Sequence, residues 1–190
     1  MTNTGKIGDS GEAATLASGP VSDLAAAIPQ VDEPVTSADG RQSQTAAEIA
    51  RGTTRFLSRL GYACLCEFPL PNGQRADITA LSRSGKILIV EIKSSLNDFR
   101  TDQKWEGYRE YCDELYFAVM TDFPAEVLPE SAGLILADKY AADIVRYAPE
   151  TPLAAARRKV LTLRFARASA RRLTGFIDPS LAVLYAADPD

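Results

Sequence analysis

The chain has 190 residues, 46 % of them hydrophobic, with three cysteines and a formal net charge of −4. That length suits one domain with a tail. It contains no histidine, which excludes Ser-His-Asp and Cys-His catalysis, HExxH zinc sites and HNH-type nucleases. Metal chemistry then rests on carboxylates, which favour Mg²⁺ or Mn²⁺ over Zn²⁺.

No apolar run is long enough for a membrane span, and no apolar stretch follows Lys6 as a signal peptide requires. Cys64, Cys66 and Cys112 are an odd set that forms no disulfide framework and fits a reducing compartment. The expectation is a cytoplasmic protein without a membrane partner.

Residues 1–43 carry two bases and six acids, the whole of the net charge, and no aromatic residue. Such a segment buries too little apolar area to offset its ordering entropy, so a disordered acidic tail is expected, with a short helix around 21–28 the one candidate element. From there on, bases and acids balance.

Thr45-Ala-Ala-Glu48 reads as a capping box. The helix behind it continues at helical spacing to Leu60, and Gly61 stops it. Residues 62–68, 75–82 and 86–93 read as three consecutive strands, separated by a Pro-Leu-Pro-Asn-Gly turn and a Ser-Gly turn. A helix over 99–112, a strand over 114–120, two short strands at 133–137 and 143–147, and a long helix over 153–173 follow. Residues 181–190 read as a C-terminal tail. The result is an α/β fold, a mixed sheet with helices packed on it, an extra hairpin and a basic C-terminal helix.

The third strand is apolar on both faces, as a buried central strand is, yet ends in Glu91 and Lys93, which share one face by the period of two. Charges there are costly unless paired, solvated or metal-bound. On the strand before, Asp77 sits between Ala76 and Ile78, and a hairpin register can bring it beside Glu91. Two carboxylates can hold one or two Mg²⁺ ions that stabilise charge on a scissile phosphate and acidify a water, and a lysine beside them orients that water or neutralises developing charge. The backbone carbonyl of Ile92 is a further hard oxygen ligand. A structural salt bridge from Lys93 to Glu91 or Asp77 is the other reading of the same residues.

The run Gln74-Arg-Ala-Asp77-Ile-Thr-Ala-Leu81, followed by Ile-Val-Glu91-Ile-Lys93-Ser-Ser95, resembles the PD-(D/E)xK nuclease superfamily. The run Ser94-Ser-Leu-Asn-Asp98-Phe-Arg-Thr-Asp102-Gln-Lys-Trp105-Glu-Gly-Tyr108, Cys112-Asp113, Tyr116-Phe-Ala-Val119, and Ala155-Ala-Arg-Arg158 with Arg164-Phe-Ala-Arg167 are similar to the MmcB family of bacterial DNA repair proteins, over about residues 45–178. The resemblance implies a restriction-endonuclease-like αβββαβ core over 44–180 and action on DNA. It implies Asp77 and Glu91 as metal ligands and Lys93 as catalytic lysine, with Mg²⁺ or Mn²⁺ as cofactor. Two departures stand: Ala76 replaces the proline before the Asp, and Lys104 replaces the Gln that usually lies four before Tyr108.

Glu48 is an additional acid on the first helix or simply its cap, and Glu67 is a further acid facing the site or solvent. Arg75 and Ser94 are candidate phosphate contacts, Arg75 equally a surface residue and Ser94 equally a helix cap. Trp105 reads as core. On the C-terminal helix, Ala156, Val160, Leu163, Ala170 and Leu173 fall on one side and Arg157, Arg164, Arg167 and Arg171 opposite, with Leu161 and Phe165 intruding. That basic face is expected to track DNA phosphates, or else to be a solvated amphipathic face.

Three functions compete: a Mg²⁺-dependent deoxyribonuclease acting on damaged, branched or single-stranded DNA, a non-cleaving DNA-binding repair accessory, and a protein-interaction module with a structural salt bridge. The nuclease reading expects DNA as partner, association with the nucleoid, and a repair protein or a second copy as further partner. It also expects loss of Lys93 to abolish turnover with folding nearly intact.

Overall fold

The computed structural model describes Met1 and residues 44–186 apart from Gln103, and no side chain beyond Val183. The tail assigned to 1–43 lies outside the described residues but for Met1. The elements are α1 (Gln44–Arg59), β1 (Ala63–Pro69), β2 (Arg75–Leu81), β3 (Ile87–Ile92), α2 (Leu96–Thr101), a 3₁₀ helix (Lys104–Tyr111), β4 (Glu114–Val119), β5 (Gly133–Ala137), β6 (Ala142–Arg146), α3 (Ala155–Ile177) and α4 (Pro179–Ala186). Among the described residues no helix is long and apolar enough to cross a membrane.

The six strands lie in one mixed sheet in chain order. β1, β2 and β3 form an antiparallel meander. β4 and β5 are each parallel to the strand before, and β6 turns back antiparallel on β5. The parallel step from β3 to β4 needs a crossover, and α2 with the 3₁₀ helix supplies it. β3 is buried along its whole length, as its two-faced apolar pattern predicts.

Each sheet face has its own core. Ile78, Ala80, Leu88, Val90 and Ala118 pack with Ile49 and Leu57 of α1. On the other face Ile87, Ile89 and Phe117 pack with Tyr108 of the 3₁₀ helix and Leu161, Phe165 and Ala168 of α3. Buried Asp113 ties α3 to this face: its carboxylate accepts both terminal guanidinium nitrogens of Arg158 at 2.6 and 2.7 Å and the N–H groups of Ile87 and Leu153.

Several sequence expectations are corrected. α1 begins at Gln44, so Thr45 lies inside the helix and is no cap; Glu48 takes the Gln44 side-chain amide at 3.2 Å instead. The single helix over 99–112 is two elements, because α2 ends at Asp102 and the chain then winds as a 3₁₀ helix. The stretch read as a tail from 181 begins inside α4. On α3 the expected apolar side is outermost: Val160, Leu163 and Leu173 are 55 %, 56 % and 62 % exposed, while the two residues read as intruders, Leu161 and Phe165, are the packed ones.

Candidate active site

β2 and β3 are antiparallel, so the start of one meets the end of the other. Their backbone ladder stops at Ile78–Val90. One residue further the Asp77 side chain takes over, its Oδ2 accepting the Ile92 N–H at 2.7 Å. In a strand the carbonyl of a residue points to the same side as its N–H, so the Ile92 carbonyl also lies toward Asp77.

Glu91 and Lys93 extend the line of Ile87 and Ile89 on the face covered by the 3₁₀ helix and α3. They are 4 % and 2 % exposed. The Lys93 ammonium donates to Glu91 Oε1 at 3.0 Å and to Asp102 Oδ2 at 2.7 Å. The second Glu91 oxygen, Oε2, is buried with no hydrogen-bond partner among the described residues. A carboxylate oxygen in that state is costly unless a cation or proton meets it.

The electrostatics follow from this packing. Burial pushes the Asp77 carboxyl up, to about 6, against the pull of the Ile92 N–H. Burial, then the neighbouring Asp77, pushes Glu91 higher still and outweighs Lys93. Burial pulls Lys93 down, but Glu91 and Asp102 more than reverse it, and its net shift is upward. Asp102 is held below its ordinary value: burial raises it, and the Lys93 ammonium and the Lys104 N–H outweigh that. Both acids therefore keep their protons to higher pH than ordinary carboxyls do, beside a lysine whose cationic form is favoured.

Asp77, Glu91 and the Ile92 carbonyl are hard oxygen donors of the kind that could hold a divalent cation. Among the described residues no group of three or more His, Cys, Asp or Glu side chains is placed to hold a metal. Asp102, which the sequence reading missed, belongs to the constellation through Lys93. It stands in the family-like run that begins at Ser94, but nothing in the sequence marked it as a partner of Lys93.

The other candidates divide. Tyr108 is buried near the acids, its hydroxyl donating to the Arg75 carbonyl at 3.1 Å, and burial followed by Glu91, Asp77 and Asp102 raises its pKa. Lys104 and Tyr108 lie four apart on a 3₁₀ helix, which turns about 120° per residue and sets them on different faces; Lys104 is exposed. Glu67 pairs with Arg75 at 2.6 Å, and Arg172 donates to its carbonyl at 2.6 Å. Glu67 has a positive φ of 51°, a rare backbone state for a residue with a Cβ. Ser94 is committed to Asp98, donating through its N–H at 3.0 Å and its hydroxyl at 3.2 Å, while Ser95 caps α2. Trp105 packs edge-on against Phe117 at 5.3 Å, as core. Glu48 lies on α1, across the sheet from Glu91 and Lys93, so the structure does not bring it to them.

The arginines of α3 make contacts of their own. Arg157 donates to the Glu110 carbonyl at 2.9 Å and lies over the Tyr111 ring. Arg164 and Arg171 are half-buried and Arg167 is exposed, and all three make contacts within the protein.

The family model for the DNA repair protein MmcB-like family matches residues 33–180. The solved structure of the SPO1766 protein of Silicibacter pomeroyi, itself of unknown function, is 47 % identical with a TM-score of 0.69. The match covers 73 % of this chain and 94 % of that one. No curated protein matches the chain.

Proposed function

This chain belongs to the MmcB-like family of DNA repair proteins, and on that premise we propose that it is a Mg²⁺-dependent deoxyribonuclease of restriction-endonuclease-like build. The observation that carries the reading is the unpartnered, buried Oε2 of Glu91 beside Asp77, with the Lys93 ammonium on the other oxygen. A bound Mg²⁺ would supply charge stabilisation at the scissile phosphate and a more acidic water.

The chain's own residues do the rest. Asp77 and Glu91, in their ionised forms, would hold the cation. Asp77 also locks the end of β3 through the Ile92 N–H, which fixes the spacing of the two acids. Lys93, kept cationic by Asp102, stands where it can neutralise charge developing on the phosphate or orient the attacking water. Tyr108 walls the acids from solvent. DNA is the substrate, and the cytoplasmic nucleoid the place of action.

The test is cleavage of single-stranded, duplex, nicked and branched DNA with Mg²⁺ or Mn²⁺, beside Asp77→Asn. Metal-dependent cleavage lost in the variant supports the reading. One observation favours the alternative of a non-cleaving DNA-binding accessory: Lys93 is almost wholly buried and holds two carboxylates. DNA binding without cleavage on every substrate would favour that role.

A further inference from the structure

α1 carries arginines at 51, 55 and 59. Spaced by four, they share one helical face and rise about 6 Å per step. All three are exposed, while Ile49, Thr53 and Leu57 bury the opposite face. The one acid in α1, Glu48, is engaged by Gln44. Arg55 donates to the Lys139 carbonyl at 3.2 Å, which brings a fourth cation beside the row. At its C-terminal end the row enters a cleft lined by Arg59, Tyr62, Ser82, Arg83 and Ser84. There the Ser82 and Ser84 hydroxyls lie 2.9 Å apart. Among the described residues no salt bridge involves Arg51, Arg55, Arg59 or Arg83.

A line of un-neutralised guanidinium groups repels itself, and a polyanion relieves that repulsion. The regular spacing suits a repeating anion better than a single one, and the cleft adds the guanidinium and hydroxyl donors that bind phosphate oxygens. We propose that the α1 arginine row and this cleft form a DNA phosphate-binding surface on the sheet face opposite Glu91 and Lys93. It is distinct from the arginines of α3, which lie on the other sheet face. The surface requires that the protein binds DNA, as in the function proposed above, but not that it cuts it.

The experiment measures binding of the full chain to a fluorescently labelled DNA duplex by anisotropy, without divalent metal, across a salt series. Wild type is compared with Arg55→Ala/Arg59→Ala/Arg83→Ala and with Arg55→Glu/Arg59→Glu, each checked for folding by circular dichroism. The exposed side chains can be removed without disturbing the core. The expected result is affinity about tenfold weaker in the triple variant and a salt dependence shallower by about one phosphate contact for each arginine removed. Affinity and salt slope equal to wild type in both variants would overturn the surface and leave the nuclease reading standing. A wild-type protein with no DNA affinity would overturn both.

Discussion

The Lys93 ammonium lies 2.7 Å from Asp102 Oδ2 and 3.0 Å from Glu91 Oε1, so the lysine that follows β3 is held at least as closely by the acid that closes α2 as by the acid on its own strand. Asp102 Oδ1 also accepts the Lys104 N–H at 2.9 Å, which joins α2, the 3₁₀ helix and the candidate site through one carboxylate. Asp102→Asn keeps a neutral acceptor for Lys104 but loses the charge opposite Lys93. The variant is expected to cleave about tenfold more slowly and to lose about 1–2 kcal/mol of stability in urea unfolding. Unchanged rate and stability would show that the contact is incidental.

Lys93 is also structural. Truncation to Ala leaves Glu91 buried with no partner, and breaking a buried pair in this way costs about 3–5 kcal/mol, less to the extent that Glu91 escapes by taking a proton. Lys93→Ala should therefore lower the urea midpoint clearly, where the sequence alone led us to expect nearly intact folding. The double variant Lys93→Met/Glu91→Gln removes both charges and should be more stable than Lys93→Ala. If Lys93→Ala unfolds at the wild-type midpoint, the buried pair is not holding the end of β3.

These roles were only partly legible in the sequence. The two-faced apolar pattern of β3 and the acid on the strand before it were enough to place Asp77, Glu91 and Lys93 together. Asp102 was not legible, because its link to Lys93 depends on α2 stopping after one and a half turns. The continuous helix expected over 99–112 hid that stop. The packing side of α3 was misread for a related reason. Its apolar residues are divided around the helix, and the decision falls to tertiary partners: Arg158 on buried Asp113 and Arg172 on the Cys66 and Glu67 carbonyls turn Leu161, Phe165 and Ala168 inward.

A pH dependence follows from the two raised acids. Asp77 and Glu91 hold protons in the folded protein that the unfolded chain has already released, since their folded pKa values lie above the unfolded ones. Stability should therefore fall as pH rises from the ordinary carboxylate range near 4 through about 6 for Asp77 and beyond for Glu91. Mn²⁺ affinity should rise over the same window, because the cation displaces those protons. Urea unfolding and calorimetric titration at several pH values would check both slopes. Asp77→Asn/Glu91→Gln should flatten the stability slope and abolish the metal binding. A wild-type stability that climbs across this window would contradict the assignment.

Gly52 permits the close approach of α1 to the turn between β5 and β6. A Cβ there would stand 1.9 Å from the Asp138 carbonyl oxygen and 2.7 Å from that of Ala141. Both are backbone atoms and cannot swing away. Gly52→Ala is expected to destabilise the protein by about 3 kcal/mol or more, an overpacking cost at the upper end of that class. Differential scanning calorimetry would register it as a clear drop in Tm. A Tm equal to wild type would mean that α1 can lift from the turn at no cost.

The most direct test of the central claim is the time course of cleavage of single-stranded, duplex, nicked and branched DNA by the purified full chain in Mg²⁺ or Mn²⁺, beside Asp77→Asn and Lys93→Met. Cleavage that needs the metal and disappears in both folded variants is the predicted result. Metal-independent cleavage, cleavage undiminished in the two variants, or no cleavage of any substrate by folded wild-type protein would contradict it.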